Sequence, residues 1–322
     1  MVMQRRSLLA ALMLAPLGAA RADESPWPNR PIKIVAGGAA SVTDIRARWL
    51  AERLSPILGQ TMFVYNNAGA GGSIGAEAGA HSPPDGYTLT IVHQGTLAIN
   101  PHLYPKLGYD PLADFAPITT FGLGSQLLTV HPDVPAQSVA ELIRLGKAKP
   151  GSLTFGSPGI GTPPHLASEL FKRAAGIDAT HVPYKGGGAL LTDLLAGRIT
   201  WSMDGLTAQM PHVRAGRLRA LAVSGPRRIA ALPHLPTVGE TVPGYEFLGW
   251  TGIAAPAGTP RPIIARLNSE IARIVGTDDA REWFASFGAE SGMQTPDAFA
   301  SFIRAEYVKW GAVIRDAGIR LE

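Results

Sequence analysis

Residues 62–77 read MFVYNNAGAGGSIGAE, and the way this stretch is parsed decides the fold. Met62-Phe63-Val64-Tyr65 is a short apolar strand, the glycines make a loop, and SIGAEAGA (73–80) starts a helix. The stretch also contains Gly71-Gly72-Ser73-Ile74-Gly75, a literal G-x-S-x-G, the string that presents a nucleophilic serine in α/β-hydrolases. A nucleophile elbow needs its strand to run directly into the turn, and here Asn66 to Ala70 intervene. His165, His181, His212 and His234 stand in no recognisable triad context. As a dinucleotide fingerprint, Gly69, Gly71 and Gly75 give a spacing one residue too long, and no G-x-x-x-x-G-K-[ST] occurs. There is no H-E-x-x-H and no cysteine, so neither a metal nor a cofactor is expected. What survives is a loop of small residues leading into a helix N-terminus, where backbone amides and the helix dipole favour an anion.

The same strand–loop–helix unit recurs on both sides. Ile32 to Val35 form a strand, AGGAAS follows, and TDIRARWLAERLSPILG (43–59) is a helix. Ile45, Trp49, Leu50, Leu54 and Ile57 share one of its faces, and Gly59 stops it. After the strand YTLTIV (87–92) the alternation restarts with SQLLTV, SVAELIRLGKAK, SLTFGS, PPHLASELFKRAAG, THVPY, ALLTDLLAG, ITWSMD and LRALAVSG. A Pro/Gly-rich passage then leads to three closing helices from 262 to 318, with no strand set left for a third domain. Strands alternating with helices mean mostly parallel sheets covered on both faces. The expected architecture is α/β and two-lobed, with a ligand cleft between the lobes. Lobe 1 is assigned to 23–124 and 250–322, and lobe 2 to 125–249. Five glycine-containing loops, 36–44, 69–75, 93–100, 157–165 and 183–191, follow successive strands, where open α/β sheets bind ligands. Ser41 or Thr43 caps the first helix, and Thr162 caps another with Pro163 in its first turn.

The N-terminus reads as a secretory signal. Arg5-Arg6 precede ten mostly apolar residues (8–17) and Ala20-Arg21-Ala22, giving an expected cleavage after Ala22 and a periplasmic location. The apolar run is half the length of about 20 residues that a bilayer core requires. Without cysteine, disulfides and a lipid-modified N-terminus are excluded. Removing Arg5, Arg6 and Arg21 from 29 Lys+Arg leaves 26 against 25 Asp+Glu, so nucleic acid is not an expected partner. Low charge (17%) with 46% hydrophobic residues indicates a packed globule.

At these loops the chain resembles the extracytoplasmic solute receptors of tripartite tricarboxylate transporters, the Bug family. The resemblance is carried in order by WPNRPIKIV, TDIRARWLAERL, GAGGSIGAE, PDGYTL, GTLAINPHLYPKLGYDPLADFAPIT, GIGTPPHLASELF, HVPYKGG, LTDLLAGRI, LPTVGE and WTGIAAPAGTP. It implies a type II-like, two-lobed periplasmic binding protein, not an enzyme. Such a receptor, expected to be a monomer, closes on a small carboxylate (a di- or tricarboxylate, acidic amino acid or aromatic acid) and delivers it to membrane permease subunits. The residues it implies are Ala40, Ser41, Thr43 and Asp44 around one carboxylate, with Gly71, Gly72, Ser73 and Thr96 beside them. Ser157, Gly161, Thr162, His165, Tyr184, Lys185 and Asp204 would form the second lobe's wall. The chain departs from the family pattern at Ala36-Gly37, Ala40-Ser41 and Gly205. The rival reading is a serine-dependent hydrolase using Ser73.

Overall fold

The computed structural model describes residues 27–320 apart from 40, 185, 186 and 287, so the proposed signal, Ala40 and Lys185 lie outside the described residues. The chain opens with β1 (Ile32–Ala36), α1 (Val42–Leu58), β2 (Met62–Asn66), α2 (Ser73–Ala80) and β3 (Thr88–His93). After a π-helical turn over Gly95–Ile99 and the short α3 (Asn100–Leu103), β4 (Phe115–Gly124) runs into β5 (Gln126–Val130) with only Ser125 between them. The second set is α4 (Val139–Ala148), β6 (Leu153–Ser157), α5 (Pro163–Ala175), β7 (Ala179–Pro183) and α6 (Gly187–Leu195). It finishes with β8 (Trp201–Gly205), α7 (Leu206–Arg214) and β9 (Arg219–Val223). The chain returns through β10 (Gly249–Pro256) and ends with α8 (Arg261–Val275), α9 (Asp278–Ser286), β11 (Ala289–Glu290) and α10 (Pro296–Ala317).

Two sheets result, with orders β11-β4-β10-β3-β1-β2 and β7-β6-β8-β5-β9. Both are mixed. β1 pairs in parallel with β2 and β3, and β6 with β7 and β8. β10 is antiparallel to β3 and β4, and β5 is antiparallel to β8 and β9. The expectation of mostly parallel sheets holds for the βαβ units and fails for β5 and β10, the strands that carry the chain out of one sheet and back.

Helix α1 shows how local sequence sets the site. Ser41 caps it by accepting from the Asp44 amide at 3.2 Å, and Gly59 ends it at φ 69°, a conformation that suits glycine. Its buried face is Arg46, Ala47, Trp49, Leu50, Ala51, Leu54 and Leu58. Trp49 stacks on Trp283 of α9 at 4.8 Å between centroids and meets Phe284 edge-on at 5.2 Å. The expected apolar face is therefore corrected at its ends: Ile45 and Ile57 are exposed, and Arg46 is buried in their place.

The crossing segments are tied by one hydroxyl. Ser224 Oγ accepts from the Gln126 amide and donates to the Phe247 carbonyl, each at 2.8 Å, joining three strand ends where the sheets meet. Above them, Glu306 of α10 accepts from Gln94, Trp250 and Trp310 on one oxygen at 2.9–3.1 Å. An Arg173–Asp316 ion pair ties the end of α10 to α5.

Candidate functional site

A cavity of about 590 Å³ opens between the two sheets. One end is built by the loops after β1 and β2. Ser41 Oγ and Thr43 Oγ1 are 2.8 Å apart, and Thr43 Oγ1 also accepts from the Gly37 amide at 3.2 Å. The first intrahelical bond of α1 is Ile45 N to Ser41 O, and Ser41 occupies the Asp44 amide. Among the described residues the Val42 and Thr43 amides therefore have no acceptor, at the positive end of the helix dipole. Asn66 locks this loop from behind by donating to Gly37 O and Asp44 Oδ1, both at 2.8 Å.

The second loop is held in a conformation few residues tolerate. Gly69, Ala70, Gly71 and Gly72 all have positive φ (127°, 46°, 61° and 94°). Asn100 Nδ2 anchors it through Ala70 O, Gly71 O and Ser73 Oγ. A Cβ on Gly72 would lie 2.9 Å from His93 Nε2. His93 Nδ1 accepts from the Gly95 amide at 3.0 Å. Burial, helped by the Arg46 charge, holds its pKa down to about 4, so the neutral ring carries its proton on Nε2 as a donor beside Gly72.

The floor is made by the crossing segments Gly124–Gln126 and Gly249–Thr251, and one wall by Ile45, Trp250 and Trp283. Gln94 and Gln126 also line it, each with a buried side-chain oxygen that has no hydrogen-bond partner among the described residues. Arg46 reaches the cavity over Gly122, donates to Thr251 Oγ1, and sits 5.6 Å from the Phe284 ring centroid. Burial lowers its pKa to about 10, which leaves it charged at neutral pH. The second sheet contributes Pro163 and the Asp204–Leu206 turn. Burial raises the Asp204 carboxyl above its ordinary range, against a hydrogen bond from the Gly205 amide.

Of the residues named from sequence, Ser41, Thr43, Gly71, Gly72 and Asp204 come together on this cavity. The others have different neighbours. Asp44 is buried against Asn66 and Arg48. Ser73 is buried on Asn100, and Thr96 exchanges hydrogen bonds with the His93 backbone. Ser157 Oγ lies 2.7 Å from His181 Nε2, and His181 stacks on His165 at 3.9 Å. His165 Nδ1 accepts from the Gly161 amide, while Thr162 donates to Gly159 O. Thr162 is the N-cap of α5, but its side chain turns back into its own loop. Tyr184 donates to Asp193 at 2.8 Å. The Ser157, Gly161, Thr162 and His165 contacts hold the 157–165 loop together, while the Tyr184 hydroxyl ties to α6. The Ser73 hydroxyl accepts from the Asn100 amide, a donor that cannot serve as the base a nucleophile requires.

Arg46, His93, Gln126, Trp250 and Trp283 did not emerge from the sequence pattern. Part of the signal was present: segments that cross a cleft must floor it, which points to 124–126 and 249–251. Arg46 gave none, because an arginine at that helical spacing reads as solvated.

Two mixed α/β sheets joined by crossing strands around one cavity define a two-lobed solute-binding protein. Residues 46–319 match the family described as tripartite tricarboxylate transporter family receptor, and the chain belongs to that family. It is 36% identical to Protein BugT of Bordetella pertussis over 331 residues, covering 100% of both chains. Its fold is similar to that of R. palustris Rpa4515 with adipate (TM-score 0.80, 38% identity), covering 92% of this chain and 100% of that one. It is likewise similar to the periplasmic binding protein BugD (TM-score 0.75, 31% identity), covering 92% and 100%. The chain is thus a receptor of a periplasmic solute-binding family and not an enzyme. No helix among the described residues is long and apolar enough to cross a membrane.

Proposed function

We propose that the protein captures a small carboxylate in the periplasm, after removal of residues 1–22, and presents it as a monomer to the permease subunits of a tripartite transporter. The observation that carries this reading is the β1–α1 turn, where Val42 and Thr43, whose amides have no acceptor among the described residues, and the hydroxyl-paired Ser41 line one cavity at a helix N-terminus. Rpa4515, with 38% identity, is described with adipate, an acid of the expected class. Gly71 and Gly72 line the same end, His93 adds a neutral donor, and Asp204 faces them from the second lobe. Lobe 1 is assigned to 23–124 and 250–322, lobe 2 to 125–249, with Ser224 at the joint.

A thermal-shift panel on the chain starting at Asp23 tests the reading. A ligand at a hundred times its Kd stabilises the folded state by about 2.7 kcal/mol. At roughly 2 °C per kcal/mol for a chain of this size, the shift should be several degrees. At least one of the dicarboxylates, citrate, acidic amino acids and aromatic acids should produce it, and the matching amides should not. If neutral sugars shift the melt and every carboxylate fails, the reading is wrong.

A further inference from the structure

Arg46 is built into its place. Gly122 leaves room for it, since a Cβ there would lie 2.9 Å from the Arg46 Cζ, and only 9% of the residue remains exposed. Of its five N–H donors, the side-chain contact is the one to Thr251 Oγ1. Among the described residues no carboxylate stands within ion-pairing distance. A buried charge without a counter-ion is costly, and this one lines a cavity that a ligand can enter.

Its placement separates it from the β1–α1 turn. The sheet order runs β1-β3-β10-β4, and Thr251 of β10 is in register with His93 at the end of β3. The guanidinium therefore reaches two strands across from the end of β1, roughly 10 Å at ordinary strand spacing. Ile45 and Trp250 offer apolar surface in the same cavity.

We propose that Arg46 is a specificity-determining residue that holds a second anionic group of the ligand, so that the receptor selects dianions with an apolar spacer over monocarboxylates. The proposal rests on the carboxylate reading above. A planar guanidinium fork suits a carboxylate by paired hydrogen bonds, and the ligand supplies the counter-charge the folded protein lacks. The amides of the β1–α1 turn hold the first carboxylate, which a monoanion would also satisfy.

Titration calorimetry on the chain from Asp23 tests this with succinate, glutarate and adipate, each against its one-ended analogue (butyrate, pentanoate, hexanoate). The wild type should prefer the best diacid over its analogue by on the order of a hundredfold. Arg46→Met should abolish that preference while leaving the monoacid affinity unchanged, and Arg46→Lys should restore part of it. Urea unfolding without ligand should find Arg46→Met no less stable than wild type, since removing an uncompensated buried charge relieves the fold. A variant that weakens monoacid and diacid equally, or leaves the diacid affinity intact, overturns the second subsite. A wild type that binds monoacids as tightly as diacids also overturns it, yet leaves the carboxylate reading standing. A wild type that binds no acid in the whole panel overturns both.

Discussion

Replacing Glu306 by leucine removes the acceptor shared by Gln94, Trp250 and Trp310. Gln94 keeps a second contact, to the Leu248 carbonyl at 3.3 Å, so the two indole N–H groups carry the loss. Each stranded buried donor costs about 1–3 kcal/mol, or about 4 kcal/mol for the pair. Leucine also removes a carboxylate that was itself buried, which returns part of that cost, and a net loss of about 3 kcal/mol is expected. Glu306→Gln keeps an acceptor oxygen and loses only its charge, so it should cost about 1 kcal/mol. Urea unfolding followed by tryptophan emission reads both. Because Gln94 and Trp250 line the cavity, the leucine variant should also bind ligand more weakly. A leucine variant within 1 kcal/mol of wild type would refute the reasoning, as would a glutamine variant equally damaged.

Stability should fall as the solution is acidified below pH 6.5. His93, His165 and His181 have folded pKa values lowered to about 4, 3 and 4 by burial, so the unfolded chain takes up protons first. The slope from these groups is about 1.4 kcal/mol per pH unit each, at most about 4 together, between pH 6.5 and 4. Unfolding titrations at several pH values should show it, and a flat profile across that window would contradict the buried neutral rings. Gly72→Ala places a methyl against His93 at φ 94° and should cost about 1–2 kcal/mol together with ligand affinity, read by melting and calorimetry. Gly188→Ala in α6, where a Cβ meets nothing within 4 Å, should instead stabilise by about 0.5 kcal/mol. Small-angle scattering should find a smaller radius of gyration with saturating ligand, as the lobes close about the Ser224 joint.

Much of this architecture was legible residue by residue. Ser41 through its hydroxyl and Gly59 through its freedom at positive φ bracket α1, and β1, β2 and β3 stand where apolar runs precede glycine loops. β4 was not among the strands read from the sequence, since FAPITTFGLG carries a proline and two glycines. Gly122 is needed there because Arg46 lies against it. Gly252 interrupts β10 for a similar reason, as a Cβ would strike Phe299 of α10. Such glycines record a neighbour distant in sequence, which local patterning cannot see. Arg46 inverts the usual rule for helix faces, and its burial makes sense only once Gly122 and Thr251 are in place. The second-lobe wall was less legible because small polar residues such as Ser157 and Thr162 serve their own loop equally well.

The central position of β10 has a consequence for the nascent chain. The strand enters between β3 and β4, so neither acquires its partner on that side until residue 256 has been synthesised. The other sheet draws all five strands from the continuous segment 126–223 and can assemble earlier. Between those two moments the chain holds every strand of one sheet, while in the other β3 lacks its β10 neighbour and β4 lacks both β10 and β11, the kind of surface that invites mispairing. A holding chaperone would therefore find its clearest target on the first lobe, and a chain released before β10 would aggregate through β3 and β4.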